Sequence, residues 1–279
     1  MSERKHTLGA PAEFSGVGAH TGKTVRVVLK PSETGRIIFR RRDLGGRIVA
    51  VDPAQAEAQS CIVLSSGAAR VRTVEHLLAS LLMCGVDSAD VDLDGEEVPL
   101  LDGSASPIVR VIEKAGKKKI DAERRTLILA KPLVVKEGEA SILLEPAAEF
   151  VVSYVIEYRH PSIGRQELSL RLDEETFKAE VAPARTFGFL KDAERLNALG
   201  LARGSSLENT VVIGDDGVVN PPLRFSDEFV RHKILDFVGD MALLGSPLRA
   251  RVSARRAGHG LHLRAARDLH AQRDEFFPS

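Results

Sequence analysis

The chain of 279 residues has no tryptophan, only two tyrosines and two cysteines, and no excess of either charge. Each shortage excludes something. Cys61 and Cys84 cannot build a disulfide scaffold or a four-cysteine zinc site. Aromatic side chains make up 5% of the chain, too few for the stacking platforms that hold single-stranded nucleic acid. Lysine and arginine number 39, aspartate and glutamate 39, so the charge cancels and a general nucleic-acid coat is not expected. No apolar run approaches the ~18 residues of a membrane span. The opening MSERKHTLGA has no apolar segment of the kind a secretory signal needs. No transmembrane segment is therefore expected, and the cytoplasm is the expected location. What is present, 43% hydrophobic and 28% charged, is an ordinary globular composition. The length suits one large domain or two small ones.

The chain divides into two halves that are distantly alike. The charged run KAGKKKIDAERR, Lys114 to Arg125, reads as their junction. The first half opens with Thr7-Leu8, a glycine-containing turn and the alternating run TVRVVLKP; the second with Thr126-Leu127, a turn at Glu137-Gly138 and SILLEP. Each reads as a hairpin ended by proline. RIIFRR and FVVSYVIEY are the next strand candidates. Each half then reaches a strong helix. Val74, Leu77, Leu78, Leu81 and Leu82 form one apolar stripe, and Val230, Ile234, Phe237, Val238 and Met241 the other. A strand follows each helix (ADVDLDG, then RARVSARR), and a second helix closes each half, beginning near Ser104 and near His262. The expectation is a duplicated α+β unit, each copy a sheet covered by helices. An extra segment, about residues 188–220, reads as an inserted helix and strand pair in the second half.

Four local patterns carry chemistry. In VRHKILDFVGD, His232, Asp236 and Asp240 are spaced i, i+4, i+8 and share one helix face. That spacing lets two side chains grip one metal ion, and imidazole and carboxylate both suit zinc. Alone, the pattern also reads as a solvated polar face. At the start of the other helix, Glu75 and His76 flank the apolar stripe. A glutamate beside a metal ligand is well placed to take a proton from water, although it also suits a helix N-terminus by its charge alone. Together His76, His232 and Asp236 supply three ligands, and catalytic zinc commonly has three with one position open. His259 stands between Gly258 and Gly260, whose lack of side chains allows close approach to a site. In ARTFGF, the Thr186 hydroxyl can donate to an oxyanion, and Phe187 offers an aromatic face. The seven arginines from Arg249 to Arg273 could bind phosphate, but such a run is more often a solvated face.

These stretches resemble a known family, the UDP-3-O-acyl-N-acetylglucosamine deacetylases, zinc amidases that commit Gram-negative cells to lipid A synthesis. GVGAHTGKTV, TVEHLLASL, EVPLLDGSASP, ARTFGF, LRFSDEFVRHKILDFVGD and GHGL carry the resemblance, in the family's order and over nearly the whole chain. It implies two similar α+β domains, here residues 1–122 and 123–279, packed helix face to helix face with the active site between them. It implies an acyl-chain passage in the inserted segment. It makes His76, His232 and Asp236 zinc ligands, with ferrous iron as the alternative, and Glu75 the general base. His259 becomes the catalytic histidine, paired with Asp240, and Thr186 the oxyanion donor. Lys233, Phe187 and, from Tyr158-Arg159-His160-Pro161, His160 become substrate contacts. The expected substrate is an acylated UDP-sugar, which loses its N-acetyl group as acetate. No nucleic-acid partner is implied, and a monomer is expected. Three positions depart from the family's pattern: Ala19 replaces a usual leucine, His262 a usual asparagine, and AQAEAQSCIVLSS lacks an Asp-Thr-x-Leu run.

Overall fold

The computed structural model describes residues 3–278. The first half runs β1 (Arg4–Leu8), β2 (Ala12–Val17), β3 (Thr24–Pro31), β4 (Ile37–Arg41), β5 (Arg47–Ala50), β6 (Ala56–Ala58), β7 (Ile62–Ser66), β8 (Ala69–Arg72), α1 (Glu75–Met83), β9 (Ala89–Leu93), α2 (Ser106–Ala115) and β10 (Lys117–Glu123). The second runs β11 (Leu127–Ile128), β12 (Leu133–Glu137), β13 (Ala140–Glu145), β14 (Phe150–Glu157), β15 (Arg165–Arg171), α3 (Glu174–Thr176), β16 (Phe187–Phe189), α4 (Ala193–Ala198), β17 (Val211–Gly214), β18 (Gly217–Val218), α5 (Glu228–Met241), β19 (Leu248–Arg255), α6 (His259–Ala271) and α7 (Arg273–Phe276).

The duplication is visible in the sheets. The first has strand order β2-β3-β9-β4-β5 and the second β12-β13-β19-β14-β15. In both, one central pair is parallel, β4 with β9 and β14 with β19, and the remaining neighbours are antiparallel. Strict alternation explains why each sheet hides one face. On β3, Val25, Val27 and Leu29 are buried between exposed or half-buried neighbours; on β19, Leu248, Ala250, Val252 and Ala254 are buried between exposed ones. Each half also inserts a small three-stranded sheet between its fourth strand and its strong helix, β6-β7-β8 in one and β16-β17-β18 in the other.

Helices fill the space between the two sheets, with α1 packed against α5. This sandwiched position buries α5 almost all round. His232, Asp236 and Asp240 are as buried as the apolar stripe, so the face that could have been solvated lies inside the protein. Gly239 permits the close crossing. None of the described helices is long and apolar enough to cross a membrane.

Two local expectations need correction. The charged run after α2 is not a bare connector: Lys117–Glu123 is β10, paired antiparallel with β1. Only Ile120 of that strand is buried, so its alternation was too faint to read. The first-half hairpin is formed by β2 with β3, not by Thr7-Leu8, which pairs with Lys118 and Lys117 on β10. Leu127-Ile128 likewise lies outside the second hairpin and pairs in parallel with β19.

Candidate active site

A cavity of about 560 Å³ opens where the two halves meet. Its lining includes Glu75 and His76 from α1, Thr186 just before β16 and Phe187 at its start, His232, Lys233 and Asp236 from α5, and His259 from α6. Asp240 stands behind His259, bonded to it. His160 is set back from the lining, edge-on to Phe189 with ring centres 5.8 Å apart. Its Nδ1 accepts from the Ser162 N–H at 3.3 Å.

His76, His232 and Asp236 converge although they come from two different halves. Their ligand atoms all lie within 4.8 Å of one another, and all three residues are buried. Asp236 Oδ1 is 3.3 Å from His232 Nε2 and 3.8 Å from His76 Nε2. The Nδ1–H of His232 donates to the Ala184 carbonyl at 3.1 Å, which turns Nε2 toward the cluster. Burial holds the His232 pKa down at about 4, so its ring is neutral at physiological pH, as a ligand must be. Asp236 resists the penalty of burial because Lys233, His232 and His259 hold its carboxyl well below the usual range. Lys233 donates to the far oxygen, Oδ2, at 2.8 Å and leaves Oδ1 facing the histidines.

Two groups flank this cluster. Glu75 begins α1, and its Oε2 accepts from the Ile62 N–H at 3.1 Å. Burial raises its pKa, against the opposing pull of His259 and His76. His259 faces the cavity with Nδ1 2.8 Å from Asp240 Oδ2. Burial opposes charge on this ring, but Asp240, with a direct bond, and Asp236 override it and raise the pKa to about 10. A carboxylate favouring its proton and an imidazole favouring its charge thus face one space, the pairing expected of proton-transfer groups.

Thr186 is held from the other half of the chain. Its N–H donates to the Gly103 carbonyl at 2.8 Å. Gly103 has φ of +84°, and a β-carbon there would meet the Asn209 carbonyl oxygen at 2.1 Å. The N–H groups of Ala105 and Ser106 donate to the Ala182 carbonyl, and Arg224 pairs with Asp102 at 2.9 Å. EVPLLDGSASP is therefore a clasp between the halves. Beyond Thr186, the cavity runs along Phe187, Phe189, Leu190, Ala193, Leu196, Leu207 and Val212, an apolar wall built largely by the inserted segment.

Sequence reasoning assigned no role to His20, which also lines the cavity. The available signal was GVGAHTG, where Gly18 and Gly22 stand two residues on either side of His20. Glu97 fixes that loop. Its carboxylate accepts from the N–H groups of His20 and Thr21 at 2.8 and 2.7 Å and from the Thr73 hydroxyl at 3.0 Å. It thereby couples the His20 loop to the turn that starts α1.

The family model for UDP-3-O-acyl N-acetylglycosamine deacetylases matches residues 5–271. Among curated relatives, a UDP-3-O-acyl-N-acetylglucosamine deacetylase of Geobacter sp. (strain M21) is 44% identical, over 95% of this chain and 88% of its own. Proteins of the same name from Phenylobacterium zucineum (strain HLK1) and Thermosynechococcus vestitus (strain NIES-2133 / IAM M-273 / BP-1) are 45% and 46% identical. Those matches cover 97% and 98% of this chain, and 94% and 96% of the relatives.

Proposed function

We propose, from the premise that this chain belongs to the UDP-3-O-acyl N-acetylglycosamine deacetylase family and is a metal-dependent deacetylase of lipid A biosynthesis, that His76, His232 and Asp236 hold the metal and that the metal is zinc. The donor set fits. Two imidazoles and one carboxylate, buried and mutually close, leave a fourth direction open toward the cavity. Ferrous iron suits the same donors, and metal analysis separates the two. When bound, the cation supplies Lewis acidity, which polarises a carbonyl and makes water nucleophilic near neutral pH.

The chain's own residues supply the rest. Glu75 takes the proton from the attacking water. The Thr186 hydroxyl donates to the oxyanion that develops on the acetamide carbonyl. His259, oriented by Asp240, stabilises that charge or delivers a proton to the departing amine. Lys233 keeps Asp236 ionised and presents a positive charge over the Phe187 ring, 5.6 Å from its centre. Phe187 contacts the substrate, and His160 contributes to its binding from behind the aromatic wall, through Phe189.

The inserted segment, about residues 188–220, takes the fatty acyl chain along its apolar wall. The domains divide as 1–122 and 123–279; β10, the last strand paired within the first half, ends at Glu123. One chain supplies every proposed ligand, in keeping with a monomer. A nucleotide-activated substrate suits a cytoplasmic enzyme.

The observation that carries this reading is the approach of His76, on α1, to His232 and Asp236, on α5, beside Glu75. Its test is metal analysis of the purified protein, coupled to acetate release from the acylated UDP-sugar. Stoichiometric zinc with metal-dependent release is expected. A metal-free protein of full activity would refute the assignment.

A further inference from the structure

We propose that His262 is a positioning residue for His259, acting through the carboxylate they share. Asp240 Oδ2 lies 2.8 Å from Nδ1 of His259 and 2.8 Å from Nδ1 of His262. A carboxylate oxygen only accepts, so both rings present N–H to it. Asp240 and His262 are wholly buried. His262 Nε2 in turn lies 2.8 Å from the Tyr154 hydroxyl. Burial lowers the pKa of His262, and the single proton of the phenol lies between its Nε2 and a second acceptor. That hydroxyl is also 2.9 Å from the carbonyl of Ala257, two residues before His259.

The arrangement matters because the glycines on either side of His259 offer its ring no side chain to pack against. A β-carbon placed on Gly258 or Gly260 would meet nothing within 4 Å. The bond to Asp240 sets the ring's direction, and it is useful only if Asp240 is itself fixed. His262 holds the same carboxylate oxygen that His259 uses, and the Phe237 ring, 5.2 Å away edge-on, holds His262. Asparagine, usual here in the family this chain resembles, could also donate to Asp240. Only a two-nitrogen ring in this orientation continues the chain to Tyr154.

The proposal rests on the assignment of His259 above, and its test separates the two. His262→Leu, His262→Asn and Tyr154→Phe are each made in the wild-type and His259→Gln backgrounds. Acetate release, metal content and thermal unfolding are measured. In the wild-type background His262→Leu should lower kcat about 10- to 100-fold, the usual effect of losing a partner that orients a functional histidine. KM and metal content should stay unchanged, and His262→Asn should recover most of the rate. In the His259→Gln background His262→Leu should cost nothing further, because the residue it positions is gone. Equal losses in both backgrounds, or an asparagine variant no faster than the leucine one, would overturn the proposal and leave His259 assigned. Full activity in His259→Gln alone would overturn both. Should the leucine variant not fold, Tyr154→Phe carries the same cycle, with a smaller loss expected only where His259 is present.

Discussion

Gly239, in the last turn of α5, lies against the backbone of Glu75 at the start of α1. A β-carbon at Gly239 would sit 2.2 Å from the Glu75 carbonyl oxygen and 2.9 Å from its Cα. The two helices can bring His76 to His232 and Asp236 only because nothing projects from Gly239. The obstacle is backbone, which cannot turn aside as a flexible side chain would. Gly239→Ala should therefore separate α1 from α5, destabilise the protein by at least about 1–3 kcal/mol, and weaken metal binding. Thermal unfolding and metal titration check this. A variant of normal stability and metal affinity would show that the close crossing does not govern the site.

Glu75 gives a prediction of opposite sign for stability. Its pKa is raised in the folded protein, chiefly by burial. The folded state therefore holds this proton more tightly than the unfolded chain does. Stability is fully present below the unfolded pKa and is lost as pH rises through the folded one. At neutral pH an ionised Glu75 costs stability, and Glu75→Gln removes that cost while its amide oxygen can still accept from Ile62. Metal-free Glu75→Gln should thus unfold at a higher temperature than the metal-free wild type at pH 7.5. Its kcat should fall about 100- to 10,000-fold, the range for a lost general base, with metal content retained. Near-normal turnover would remove Glu75 from that role.

Much of this was legible because periodicity survives in the elements that matter. The alternation of TVRVVLKP and RARVSARR gives β3 and β19, and the stripe from Val230 to Met241 gives α5. The i, i+4 spacing places His232 beside Asp236 on one helix. Spacing along a chain says nothing about distance between helices, so the grouping of His76 with them rested on ligand chemistry and on the resemblance. Tyr154 was hidden differently. In FVVSYVIE it reads as a core residue, and its ring is indeed buried, but the partner of its hydroxyl is 108 positions away. β10 went unread because one buried isoleucine among lysines makes no pattern.

The clasp between the halves makes Thr186 a sharp test of transition-state binding. Its backbone is fixed by Gly103, so Thr186→Val should leave the strand in place and remove only the hydroxyl. Loss of one oxyanion donor typically costs about 3 kcal/mol, or about 100-fold in kcat. KM should change little, since the bond strengthens only as charge develops. A raised KM with unchanged kcat would instead make Thr186 a ground-state contact.

Metal removal should loosen the join between the two halves as well as stop the reaction. His76 belongs to one sheet-and-helix unit and His232 and Asp236 to the other, so a shared cation ties α1 to α5. Zinc should raise the unfolding temperature of the wild type, because a ligand that binds only the folded state stabilises it. His232→Ala and Asp236→Asn should purify with little metal and show no such rise at the same zinc concentration. An unchanged metal content in either variant would refute its part in ligation.

The apolar wall of the inserted segment predicts how chain length governs turnover. Leu196 on α4 lines the same cavity as Glu75 and Thr186, together with Leu190 and Leu207. If the acyl chain lies along this wall, Leu196→Trp fills its path without touching the proposed metal ligands. An overpacking cost of about 1–3 kcal/mol converts to about a 5- to 150-fold rise in KM for a long-chain substrate. A substrate with a truncated acyl group should be spared, because its chain ends short of the obstruction. Steady-state kinetics on a chain-length series reads this directly. Equal penalties on long and short chains would place the fatty acid elsewhere and leave the inserted segment without its proposed role.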